Sequence, residues 1–181
     1  MSAQHVTTAA ILIIALTLSA AAETTRRSKK QEPAAPPPAP ADKRDRAVNA
    51  PGTPFHGRAY WQAAAQCGGI YFKLGTVYSD AAIRAKVVKP DPAAYAQLTK
   101  EANGASKTAS AFFDAAERFL IADRKLARDE AVMTYDVIAT ANGDRLKTAD
   151  AAVQAGKPCP ELYKTCRGAF PQLCNDAALA N

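Results

Sequence analysis

The chain is 181 residues long, carries a formal net charge of +6 and contains only four cysteines. That length suits one domain with flanking segments. Cysteine is too sparse for a scaffold held mainly by disulfides, so a hydrophobic core must do most of the folding. Residues 23–46 hold seven Lys/Arg against four Asp/Glu, which places half of the positive excess in a short stretch. A basic balance of this size is compatible with anionic membrane, cell-wall polymer or nucleic acid. It serves plain solubility equally well, and no nucleic-acid partner is expected.

Residues 9–22, AAILIIALTLSAAA, are apolar apart from Thr17 and Ser19. The run has signal-peptide length and falls short of the ~20 residues of a spanning helix. Ala20 and Ala22 form an A-x-A cleavage signal, with Glu23 as the expected first mature residue. Residues 1–22 are therefore read as a signal peptide, and the protein as periplasmic or secreted. One feature opposes this. No Lys or Arg precedes the run, whereas RRSKK follows it, and the positive-inside rule then favours a cytosolic downstream part. The alternative is an uncleaved segment that tethers the domain to a membrane. Arg26, Arg27, Lys29 and Lys30 would then make weak contact with anionic lipid.

Residues 23–57 read as an unstructured, basic, Pro/Ala-rich linker. EPAAPPPAPA should be extended and semi-rigid, and the charge clusters on either side of it cannot form a core.

Residues 58–181 read as an all-α domain. Tyr60, Ala64, Cys67, Tyr71, Leu74, Tyr78, Ala81 and Ala85 step by alternating fours and threes, an apolar stripe on one helix face. Tyr95, Leu98, Ala102, Ala105, Ala109, Phe112, Ala116 and Phe119 define a second stripe. VVKPDP joins them, with Asp91 as N-cap and Pro92 at the first helical position. A third helix is expected from Asp123 or Arg124, with Leu126, Met133 and Val137 on its inner face. Asn142-Gly143 and Asp144 look like a stop and a restart, so this helix is expected to break there. Pro160 opens a short last helix. The expected architecture is a compact antiparallel bundle of three long helices, the third broken, plus a short C-terminal helix stapled by disulfides.

The cysteines decide among redox, metal and structural roles. Their spacings after Cys67 are C-x6-C and C-x7-C, and the only histidine beyond residue 5 is His56. These exclude the usual zinc, thioredoxin and c-type haem patterns. Structural disulfides in an oxidising compartment are expected, and the alternative, should the apolar N-terminus not export the chain, is four buried free thiols in the cytosol. Cys159 and Cys166 are roughly 10 Å apart along a helix, too far to pair. Cys67 and Cys166 should both face the core, so the expected bridges are Cys67–Cys166 and Cys159–Cys174.

No catalytic, cofactor-binding or metal-binding residue is assigned. Nucleophile-elbow, phosphate-loop and dinucleotide patterns are missing from the sequence. Gly68-Gly69 reads as a close helix contact. His56 reads as a surface residue. Asp129, Glu130 and Asp136, among Arg124, Lys125 and Arg128, read as a solvated face with i,i+4 partners. The expectation is a non-enzymatic protein acting by binding or structural contact with a protein or polymer of the cell envelope.

Overall fold

The computed structural model describes residues 42–175. The signal segment, the linker up to residue 41 with its cluster Arg26, Arg27, Lys29 and Lys30, and residues 176–181 lie outside the described residues. What is described is helical, with no strand. Five helices follow in order: α1 Tyr60–Val87, α2 Pro92–Arg124, α3 Arg128–Asp144, α4 Ala149–Gly156 and α5 Cys159–Ala169.

The first two helices carry the periodic stripes, and both stripes face inward. No residue of either is exposed. Asp91 caps α2, its carboxylate accepting from the Ala94 amide at 2.9 Å, and Pro92 follows at the first turn. The two helices run antiparallel. Gly68 meets Phe113, Gly75 meets Ser106 nearer the turn, and Lys86 lies over the Tyr95 ring at the turn itself. Stacked pairs Tyr60–Phe119 and Tyr71–Phe112, with centroids 5.0 and 5.9 Å apart, join the stripes at their wide end.

The third helix departs from expectation in start, phase and end. The second helix runs on to Arg124, and Lys125 ends it by taking a left-handed conformation, φ 60°. Glu130 then accepts from the Ala127 amide and fixes the start of α3. Met133 and Val137, expected inside, are 64% and 69% exposed, whereas Ala131, Ala139 and Gly143 are buried. Leu126, the remaining member of that face, precedes the helix and is half-buried. The helix passes through Asn142-Gly143 without a break. Asn142 donates to the Ile138 carbonyl one turn back, and Gly143 lies against the Gly69 carbonyl of α1. The chain turns only after Asp144, and Thr148 caps α4 by accepting from the Ala151 amide.

The folded part also begins earlier than residue 58. Residues 42–59 form a strap along α1 and the end of α2. Val48 and Phe55 are each 1% exposed, and Ala47 bridges Ala59. Burying two such side chains contributes roughly 1.5–3 kcal/mol each. Two ion pairs fasten the strap to the end of α2. The Asp45 carboxylate, fully buried, accepts from Arg124 Nε and Nη2 at 2.8 and 2.7 Å and from Trp61 Nε1 at 3.1 Å. Burial pushes the Asp45 carboxyl up, but the Arg124 guanidinium and the indole N–H outweigh it and hold it below its ordinary range. Asp123 accepts from the Arg46 amide at 2.9 Å and pairs with its guanidinium at 2.8 Å. Residues 42–57, expected in the linker, therefore belong to the fold.

All four cysteines are bridged, but as Cys67–Cys159 and Cys166–Cys174, with Cα separations of 5.8 and 6.0 Å. The expected pairing is wrong because Cys159 does not flank the last helix. It is the first residue of α5 and is buried with Leu162, Tyr163 and Cys166 on the inner face. It alone reaches Cys67. After Ala169 the chain folds back in a tight turn. The Leu173 and Cys174 amides donate to the Phe170 carbonyl, and Tyr163 Oη donates to the Cys174 carbonyl. That turn lays Cys174 beside Cys166. The first bridge spans 92 residues and the second only 8, worth about 4.6 and 2.5 kcal/mol in the chain-entropy account.

Non-reducing tryptic mapping tests this directly. It should give residues 59–73 joined to 148–164, and 165–167 joined to 168–181. Cys67→Ala and Cys159→Ala should destabilise the domain equally. Each should cost about 2 kcal/mol more than Cys166→Ala or Cys174→Ala in denaturant unfolding. Unequal losses within the first pair would contradict the connectivity.

Candidate functional site

A concavity among the described residues follows from the glycine pair Gly68-Gly69 on α1. A side chain at Gly69 would run into the Ala139 backbone carbonyl, and one at Gly68 into the Phe113 ring. With no β-carbon at Gly69, α1 and α3 meet backbone to backbone, while the Phe113 ring of α2 fills the space at Gly68. Gly143 extends the contact, lying against the Gly69 carbonyl on its other side. This crossing brings the helices together at one level and lets them diverge beyond it. A groove of about 270 Å³ opens between them, lined by Phe72, Lys73 and Thr76 of α1, Phe113 of α2, and Asp136, Thr140 and Asp144 of α3.

The lining is mixed, with Phe72 and Phe113 apolar and Lys73, Thr76, Asp136, Thr140 and Asp144 polar. The Phe113 ring forms part of the wall, held by stacking on Tyr135 with centroids 5.4 Å apart. Burial and then the nearby Glu117, Asp114 and Asp136 carboxylates push the Tyr135 phenol up, so it stays a neutral donor. Phe72 is 62% exposed, and Met133 and Val137 extend apolar surface along the outer side of α3. Lys73 offers a cationic donor, Thr76 and Thr140 offer hydroxyls, and Asp136 and Asp144 offer carboxylate acceptors. Such a set can hold an apolar group between polar ones.

The glycine pair serves close helix packing, as two small residues inside a helical pattern implied. His56 is exposed in the turn that closes the strap. The charged residues near α3 do not form i,i+4 pairs with one another. Arg124 belongs to α2 and holds Asp45, Arg128 reaches Glu117 on α2 at 3.0 Å, Glu130 caps α3, and Asp136 faces the groove. Of the aromatic residues on α1, Tyr60 and Trp61 are buried and Tyr71 and Tyr78 half-buried, so Phe72 stands out as the one turned to solvent. Sequence reading missed the groove because its walls come from helices far apart in the chain. The one available signal was Gly68-Gly69.

Among the described residues, no group of three or more His, Cys, Asp or Glu side chains is placed to hold a metal ion. No described helix is long and apolar enough to cross a membrane. Comparison with protein-family models, with curated proteins and with solved structures finds no match.

The helix crossing can be tested with two glycines of opposite kind. Gly69→Ala should destabilise the domain by roughly 1–3 kcal/mol, because its β-carbon would meet the Ala139 backbone. Gly104, inside α2, has open space where a β-carbon would go. Gly104→Ala should stabilise by about 0.5–1 kcal/mol. Unfolding curves showing a neutral Gly69→Ala would contradict the backbone contact.

Proposed function

We propose that this is an exported, non-enzymatic helical protein that acts by binding or structural contact in the cell envelope, in the periplasm or outside the cell. The observation that carries the reading is the cysteine chemistry. All four thiols are consumed in two intramolecular bridges, both buried. Disulfides of this kind persist in oxidising compartments and are rare in the cytosol. The apolar run at residues 9–22 with its A-x-A end supplies a route out. In this reading α1, α2 and α3 act as one antiparallel bundle, a rigid frame that presents the groove beside Phe72 to an envelope protein or polymer.

A second reading keeps the apolar segment attached, so that the domain is a membrane-tethered accessory subunit. The RRSKK cluster after the run, with no Lys or Arg before it, favours a retained segment. The stretch from residue 23 to the strap, extended, could reach some tens of ångströms from the bilayer.

Fractionation with N-terminal sequencing decides among these. A mature end at Glu23 in the soluble envelope fraction is the expected result. An intact N-terminus in membranes would establish the tethered form. Recovery from the cytosol with titratable thiols would overturn both.

A further inference from the structure

We propose that the free end of the α1–α2 hairpin docks on an anionic lipid bilayer. The packed core stops well short of that end. Its clusters reach α1 only as far as Tyr78 and α2 only as far as Ala105. Nearer the turn, the buried residues are Ala82 and Ala102 alone. From Tyr78 to Val88 the helix rises about 15 Å, so the hairpin ends in a thin two-helix finger.

The finger carries at its end what a soluble surface normally hides. Ile83, Val87 and Val88 are 59%, 70% and 77% exposed. Ile83 and Val87 share one helix face, and Val88 points roughly 100° away, so the apolar surface wraps around the tip. Interleaved with it are Arg84, Lys86 and Lys89. Residues 83–91 hold these three basic side chains against a single acidic one, Asp91. That carboxylate is already engaged with the Ala94 amide of α2. Lys86 lies over the Tyr95 ring, 5.4 Å from its centroid, and among the described residues none of the three cations has a carboxylate within ion-pair distance. Asp80 sits about one turn further down α1, away from the tip.

A projecting end on which exposed apolar side chains alternate with cations matches a medium that is anionic at its surface and apolar just beneath. Long Lys and Arg side chains can lie along the headgroups while the Ile and Val side chains pass below them. A protein partner would have to offer a concave acidic pocket of fitted shape, and a fluid bilayer needs none. The proposal does not depend on which side of a membrane the domain occupies.

The test uses the full chain and vesicles of phosphatidylcholine, alone or mixed equally with phosphatidylglycerol, in a sedimentation assay. The parent should bind the mixed vesicles and lose binding as salt is raised. Ile83→Ser/Val87→Ser/Val88→Ser should weaken that binding at least ten-fold. Arg84→Gln and Lys89→Gln should each weaken it about five-fold. All these positions are exposed, so the melting temperature should not move. Replacing Arg26, Arg27, Lys29 and Lys30 by Gln should leave the ratio between parent and tip variant intact. The proposal falls if the tip variants bind like the parent, if only the upstream cluster matters, or if the parent ignores the mixed vesicles. It also falls if the tip supports binding to an acidic protein but not to lipid.

Discussion

The first three turns of α1, Tyr60 to Ile70, have no face to give to water. Ten of these eleven residues are buried, and Gln66 is half-buried. A helix apolar or small all round must be covered from every side, and the remaining elements are arranged to do so. The second helix supplies Phe112, Ala116 and Phe119, and the third comes in over Gly69. The fifth is bolted on through Cys67–Cys159, and the strap of residues 42–59 closes the last side. The strap brings a buried charge, Asp45, and its position is workable because Arg124 and Trp61 together satisfy the carboxylate. A buried carboxylate with just one weak partner would be costly.

The other half of α1 has the opposite character. Past Tyr78 its one buried residue is Ala82, and its outer positions are solvated, Ser79 and Asp80 first and then a run of apolar and basic residues. One helix thus serves as hub at one end and projects at the other. The two bridges belong to the hub. The long one ties the start of α5 to the early turns of α1, and the short one shapes the closing turn.

The two long stripes were legible in the sequence because each repeats over seven steps, and a pattern of that length survives local exceptions. The strap was not legible for the opposite reason. Val48, Ala50 and Phe55 are isolated apolar residues among prolines and charges, and their burial depends on ion pairs to positions about 78 residues away. The phase of α3 was misread because size was taken for burial. At a backbone-to-backbone crossing the inner positions must be small, so Ala139 and Gly143 go in and Met133 and Val137 stay out. The same contact keeps Gly143 from serving as a helix stop. The class of the cysteines was legible from their spacing. Their pairing turned on one helix boundary, since moving Cys159 from the flank of α5 to its first turn exchanges both partners. The groove had only the glycine pair as a trace.

The central claim is that α1 is a covered hub whose strap belongs to the fold. The most direct measurement compares chains of residues 42–181 and 58–181 by thermal unfolding and by the emission of Trp61, the single tryptophan. Without the strap, Phe55, Val48 and the Asp45 partner of Trp61 and Arg124 are gone. Melting should fall by at least 10 °C for the several kcal/mol lost, and Trp61 emission should shift to the red. Identical melting and an unshifted Trp61 in the shorter chain would contradict the account.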